Sequence, residues 1–114
     1  MFKPNIQQFA TGIKIQHRVV NSINGAPEIS YTDADPALDF CNWKGKGGTE
    51  RIESGSLSVI DTAELTMWYR DDVNERDRIL LNGDDSKAFE ITNVENVEMR
   101  GQFMIIKVKR VVSA

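Results

Sequence analysis

The chain has 114 residues, a formal net charge of −3, one cysteine and one histidine. That length suits one domain, which on folding buries roughly 65% of the surface its unfolded chain exposes, and the acidic balance argues against a protein held to duplex DNA or RNA mainly by phosphate contacts. No apolar run approaches the roughly 20 residues that span a bilayer, and the first eight residues lack the apolar stretch of a secretory leader, so cytoplasmic synthesis without membrane insertion is expected.

Residues 1–12 are polar, carry Pro4 and show no sustained period, so they read as a flexible arm ordered by a partner. Organisation begins at Ile13, and residues 13–112 form the expected domain. Ile13, Ile15, His17 and Val19 alternate with Lys14, Gln16 and Arg18, the period of a half-buried strand. Asn24-Gly25, followed by Pro27, is strong turn chemistry. Ile29-Ser30-Tyr31 suggests a short strand interrupted at Asp33–Pro36, and a second strand is expected over Leu38–Trp43. Lys44–Ser56, with Gly45, Gly47, Gly48 and Gly55, reads as one long loop. Ala63–Arg70 is the clearest strand, with Ala63, Leu65, Met67 and Tyr69 on one face. Arg78–Leu81, Ala88–Val94 and Phe103–Val111 are the remaining strands, separated by Asn82-Gly83 and Gly101. Five or six short strands with regular turns imply an all-β fold, a small barrel or sandwich. Closure is favoured because a strand as apolar as Phe103–Val108 is hazardous on an open edge.

No catalytic constellation stands out. His17 lies on the apolar phase of its strand and reads as a hydrogen-bonded core or rim residue; no strand–turn–helix elbow surrounds a serine. Cys41 lacks a Cys/His ligand pattern and reads as a small buried apolar residue. Asp33/Asp35, Asp71-Asp72 and Asp84-Asp85 lack calcium-loop register and read as solvated turn residues. Lys44-Gly45-Lys46-Gly47-Gly48-Thr49 lacks the order and following helix of a phosphate loop. No enzyme activity, metal or cofactor is therefore expected. The tryptophans are more informative: Trp68 falls on the polar phase of the strongest strand, and Trp43 stands at the mouth of the glycine-rich segment. An outward aromatic can anchor a protein interface, pack under a loop, or stack on bases. Basic residues cluster only at Lys44/Lys46 and Lys107/Lys109/Arg110, which favours the interface reading.

The ordered set of features resembles the phage head–tail joining, or head-closure, family of siphophages and prophages. The resemblance is carried by Ile13-Lys14-Ile15, Asn24-Gly25, Cys41-Asn42-Trp43, Gly48-Thr49-Glu50, Leu65–Arg70, Asp71-Asp72-Val73, Arg78-Ile79, Asn82-Gly83, Phe89-Glu90-Ile91 and Ile105-Ile106. It departs from the family in its long Gly25–Phe40 connection and in Arg51-Ile52, where aromatics are usual. The resemblance implies a Greek-key-like β-barrel with one long loop and no catalysis. It implies a virion-neck protein that forms a ring, sixfold or twelvefold, on a portal–adaptor complex. Such a ring closes the DNA-filled head and docks tail-terminator proteins, with genome DNA passing nearby but not specifically bound. Trp43, Lys46, Gly48, Glu50, Arg51, Ile52 and Trp68 are the candidate interface and loop residues. Two alternatives stay open, an OB-like single-stranded nucleic-acid-binding module and a neighbouring tail-completion protein.

Overall fold

A computed structural model describes residues 4, 6–53 and 56–113. A 3-10 turn at Ile6–Gln8 precedes six strands: β1 (Thr11–Ile23), β2 (Ala26–Glu53), β3 (Ser56–Trp68), β4 (Arg78–Leu81), β5 (Ala88–Asn96) and β6 (Phe103–Ser113). Every pairing is antiparallel. The strands close in the order β1-β2-β3-β6-β5-β4 and back to β1. The fold is thus the expected all-β barrel. Because β3 and β4 are consecutive yet not neighbours, the chain between them must cross over, which makes the topology Greek-key-like.

Turn chemistry sets the hairpins. Asn24 and Gly25 both adopt positive φ (52° and 79°), as do Asn82 and Gly83 (55° and 72°). Two consecutive left-handed residues give the turn whose twist matches a β-ribbon. Ile23 therefore pairs directly with Ala26 across the first of these turns.

Two expectations are corrected. Within the segment expected as the Lys44–Ser56 loop, β2 continues to Glu53 and β3 starts at Ser56, with ladder partners from Gly48↔Asp61 to Glu53↔Ser56; positions 54 and 55 lie outside the described residues. Gly45, Gly47 and Gly48 fit a β-bulge, so the run of glycine that argued against a strand instead lets a strand shift register. Likewise the interruption at Asp33–Pro36 does not end a strand. The register moves from Lys14↔Leu38 to Gln16↔Asp33, so β2 carries four extra-register residues opposite Ile15 within one continuous strand, and the first of them, Ala34, is buried in the core. The peptide bond between Asp35 and Pro36 is cis.

Period-2 alternation fills the barrel. Ile13 and Ile15 of β1, Cys41 of β2, Ala63, Leu65 and Met67 of β3, Ile79 of β4, Phe89 and Ile91 of β5, and Met104, Ile106 and Val108 of β6 form one buried cluster. Cys41 is fully buried, and that burial pushes its thiol pKa up to about 12, so it stays a neutral, unreactive packing group.

Candidate protein interface

The chain between β3 and β4 is pinned onto β2 by an ion pair and onto β1 by hydrogen bonds. Arg70 donates to both oxygens of Asp72 (3.0 and 2.8 Å) and to Asp39 of β2 (3.2 Å). These bonds raise the Arg70 pKa further and hold the Asp72 carboxyl below the ordinary carboxylate value. Asp77, almost wholly buried, accepts from the backbone N–H of Arg18 (2.9 Å) and of Asn74 (3.2 Å). His17 Nδ1 lies 3.1 Å from the same carboxylate, and its Nε2 lies 3.8 Å from Asp72. His17 is therefore a hydrogen-bonded rim residue, as its position in the sequence implied. This arrangement locks a crossover against the barrel. Among the described residues no three His, Cys, Asp or Glu side chains converge as a metal site.

The other acidic residues are likewise structural, and Asp33 and Asp35, expected in a turn, lie within β2 instead. Asp84 accepts from Ser86 N–H (2.9 Å) and Oγ–H (2.7 Å), which caps a 3-10 turn and lowers its pKa. Asp33 accepts from Gln16 Nε2 (2.9 Å), which lowers its pKa too. Gln16 Oε1 in turn accepts from Arg78 (2.6 Å), whose guanidinium lies 4.1 Å from the centre of the Tyr31 ring.

Apolar surface concentrates on the outer face of β2 and β3. Because Cys41 points inward, Leu38 and Phe40 point outward, and they are 70% and 59% exposed. Phe40 stands opposite Gly12, where a side chain would meet its ring at 3.7 Å. With Asn82-Gly83 these residues border a shallow cavity of about 260 Å³. Further along the face, Trp68 stacks on its ladder partner Phe103 (centroids 4.8 Å, 23° between planes) and remains 44% exposed. Phe9 meets both rings edge-on at 6.2 Å, and Gln8 accepts from Asn42 Nδ2 at 3.2 Å. The segment expected as a loose arm therefore has its last residues laid against β2, β3 and β6.

The candidate residues separate into three groups. Trp68 is an outward aromatic, as its phase required. Trp43 instead faces inward, half-buried and edge-on to Phe89 at 5.0 Å, so it closes one end of the core. Lys46 is exposed at the β2–β3 bulge. Gly48, Glu50, Arg51 and Ile52 have their backbone in the β2–β3 ladder; the side chains of the last three lie outside the described structure. Leu57, the partner of Ile52, lies eleven residues from Trp68 along β3, about 36 Å of strand. Trp68 and the far end of the hairpin are therefore separate surfaces. Sequence reading missed Leu38, Phe40 and Phe9. The signal for the first two was available: phasing Leu38–Trp43 on a buried Cys41 puts both outside.

No family model matches the chain, and no curated protein matches it either. Among solved structures, its fold is similar to that of a chain described as "Virion of native gene transfer agent (GTA) particle", with a TM-score of 0.64 and 14% identity over 90% of this chain and 94% of that one.

Proposed function

We propose that the chain is a non-enzymatic structural component of a phage-like virion, a connector that forms a ring at the head–tail junction. The ring closes the DNA-filled head on a portal–adaptor complex and gives the tail a docking surface. The observation that carries this reading is the fold likeness to a virion chain, which leaves little of either chain unmatched. The ordered motifs of the head-closure family point the same way, and several have structural duties in the barrel: Asn24-Gly25 and Asn82-Gly83 turn hairpins, and Arg70 with Asp72 locks the crossover. Subunits of a ring meet through two different surfaces that close by rotation. The exposed Leu38, Phe40 and Trp68 offer apolar anchors for one of them.

Electron microscopy of the chain mixed with portal–adaptor complex tests the proposal. The expected result is an added ring, weakened at least tenfold in apparent affinity by Phe40→Ser with Trp68→Ala. Absence of any added ring would reject head closure, and attachment to isolated tails instead would assign the neighbouring tail-completion role.

A further inference from the structure

The two basic clusters of the sequence, some sixty residues apart, meet on one face of the barrel. The strand order β2-β3-β6 brings them together, and two bulges flank them, one on each side of the β3–β6 pair. In the β2–β3 ladder Gly45 faces Ala63 and Gly48 faces Asp61, so Lys46 and Gly47 together oppose Thr62. In the β5–β6 ladder Ile91 faces Val108 and Asn93 faces Lys107, which leaves Thr92 as the extra residue. Bulges re-aim side chains and open the sheet locally. Here they border a groove of about 370 Å³ whose wall carries Lys46, Thr62, Glu64, Thr92, Lys107 and Lys109. Thr92 Oγ1 donates to the Lys107 carbonyl at 3.1 Å, tying the β5 bulge to the strand that bears two of the lysines.

Lys46, Lys107 and Lys109 are exposed, and among the described residues none of them is in an ion pair. Glu64 is the one carboxylate in the wall, and the ladder sets it between Lys107 of β6 and Lys44 of β2. Glu90, the exposed ladder partner of Lys109, is the second carboxylate on this face. Four lysines against two glutamates still make a local positive field on a chain whose overall charge is −3. Alternate residues of a strand lie about 6.6 Å apart, and strands two places apart about 10 Å, so the ammonium groups spread over a surface instead of converging on a point. That geometry suits an extended polyanion better than a single phosphate.

Its composition selects the polyanion. Lysine is depleted in protein–protein interfaces, whose centres rely on aromatic and apolar anchors. None of the exposed large apolar residues described lines this groove; Leu38, Phe40 and Trp68 lie elsewhere. Lysine ammonium and threonine hydroxyl groups are, by contrast, ordinary partners of the nucleic-acid backbone. We propose that this groove is a sequence-independent contact for the phosphate backbone of duplex DNA. The contact is weak in one subunit and multiplied in an assembly. Its chemistry stands on the surface alone; its use, bracing DNA that passes a ring, rests on the connector reading.

Amide NMR spectra of the full chain, titrated with a short mixed-sequence duplex at low salt, test this. Shifts are expected at Lys44–Lys46, Thr62–Glu64, Thr92 and Lys107–Lys109, with Phe40 and Trp68 unmoved. Three phosphate contacts predict an affinity about 40-fold lower at 200 mM than at 50 mM salt. K46E/K107E/K109E, exposed changes that leave the dispersed spectrum intact, should weaken binding at least tenfold. Three outcomes overturn the proposal: no shifts at low salt, shifts confined to another face, or binding indifferent to the triple variant. A fourth is the same amides responding to poly-glutamate but not to duplex, which assigns the groove to an acidic protein. Ring formation by the triple variant on portal–adaptor complex is read separately, so loss of the DNA contact and loss of the connector role are distinguishable.

Discussion

The two Asn-Gly turns are the same dipeptide in the same left-handed conformation, yet they tip hairpins of opposite kinds. Asn82-Gly83 joins β4 to the segment leading into β5 in the body of the barrel, where Ile79 and Leu80 are fully buried and Asn82 N–H donates to the Gly12 carbonyl at 2.9 Å. Asn24-Gly25 tips a ribbon that leaves the barrel: β1 pairs with β4 only from Ile13 to Gln16, and β2 meets β3 only from Asn42 onward. Beyond those limits β1 and β2 have only each other as ladder partners, with side-chain contacts from Asp77 to His17 and Arg18 and from Arg78 to Tyr31 at the ribbon's base. Val20 and Ile29, directly opposite on this ribbon, are both half-exposed. A turn motif therefore fixes a local bend, while the residues flanking it decide whether the hairpin is core or projection. An isolated two-stranded ribbon is marginally stable in water, so this one depends on its anchorage to the barrel or on a partner.

The largest expected effect is at the buried end of the comparison. Ile79 faces both Ile15 and Phe89 with no exposed surface. Ile79→Ala should cost about 2–5 kcal/mol of unfolding free energy, measured by urea denaturation. Val20→Thr with Ile29→Thr should stay within about 0.5 kcal/mol. A comparable loss at the two sites would mean that the ribbon folds as part of the core.

The next effect concerns what holds the ribbon's base. Arg70, with its side chain 11% exposed, ties Asp72 to Asp39. Arg70→Ala should cost about 1–3 kcal/mol, below the range for a fully buried pair because both carboxylates retain some solvent. The pH dependence carries a definite sign. Arg70 depresses the Asp72 pKa in the folded state. That contribution is complete above the unfolded value of about 4 and is lost as pH falls through the depressed folded value. The gap in stability between wild type and Arg70→Ala should therefore be full at neutral pH and narrow in acid. A gap that widens in acid would contradict the assignment.

Much of this was legible in the sequence because strands of the barrel are half-buried and alternate. Leu65 and Met67 against Trp68, or Ile105-Ile106 within β6, could be phased from the residues alone. What was hidden depends on register between distant strands. A run of glycine at Lys44–Gly48 lowers strand propensity, and only the pairing Gly48↔Asp61 reveals it as a bulge within a ladder. The meeting of Lys44 and Lys46 with Lys107 and Lys109 needs β2, β3 and β6 side by side, an order fixed by barrel closure. For the same reason Lys46, Lys107 and Lys109, from two clusters far apart in the chain, line one groove.

The smallest effect is the sharpest test of the contrast between the two hairpins. Gly25 and Gly83 have similar φ, 79° and 72°, and nothing lies within 4 Å of a methyl group placed on either. Alanine at each position therefore carries the same local penalty, about 1 kcal/mol for holding a left-handed residue with a side chain. At Gly83 the strain is borne by a turn joined to buried strands, so it should appear almost fully in global stability. At Gly25 the ribbon end can open while the barrel stays folded, so global stability should fall by less than about 0.5 kcal/mol. The strain should surface instead as faster amide hydrogen exchange from Val20 to Ile29, with β4 unchanged. Equal global losses for Gly25→Ala and Gly83→Ala would make the ribbon an integral part of the cooperative unit. An unequal pair of losses leaves it a projection, marginal in isolation and suited to being stabilised by what it docks against.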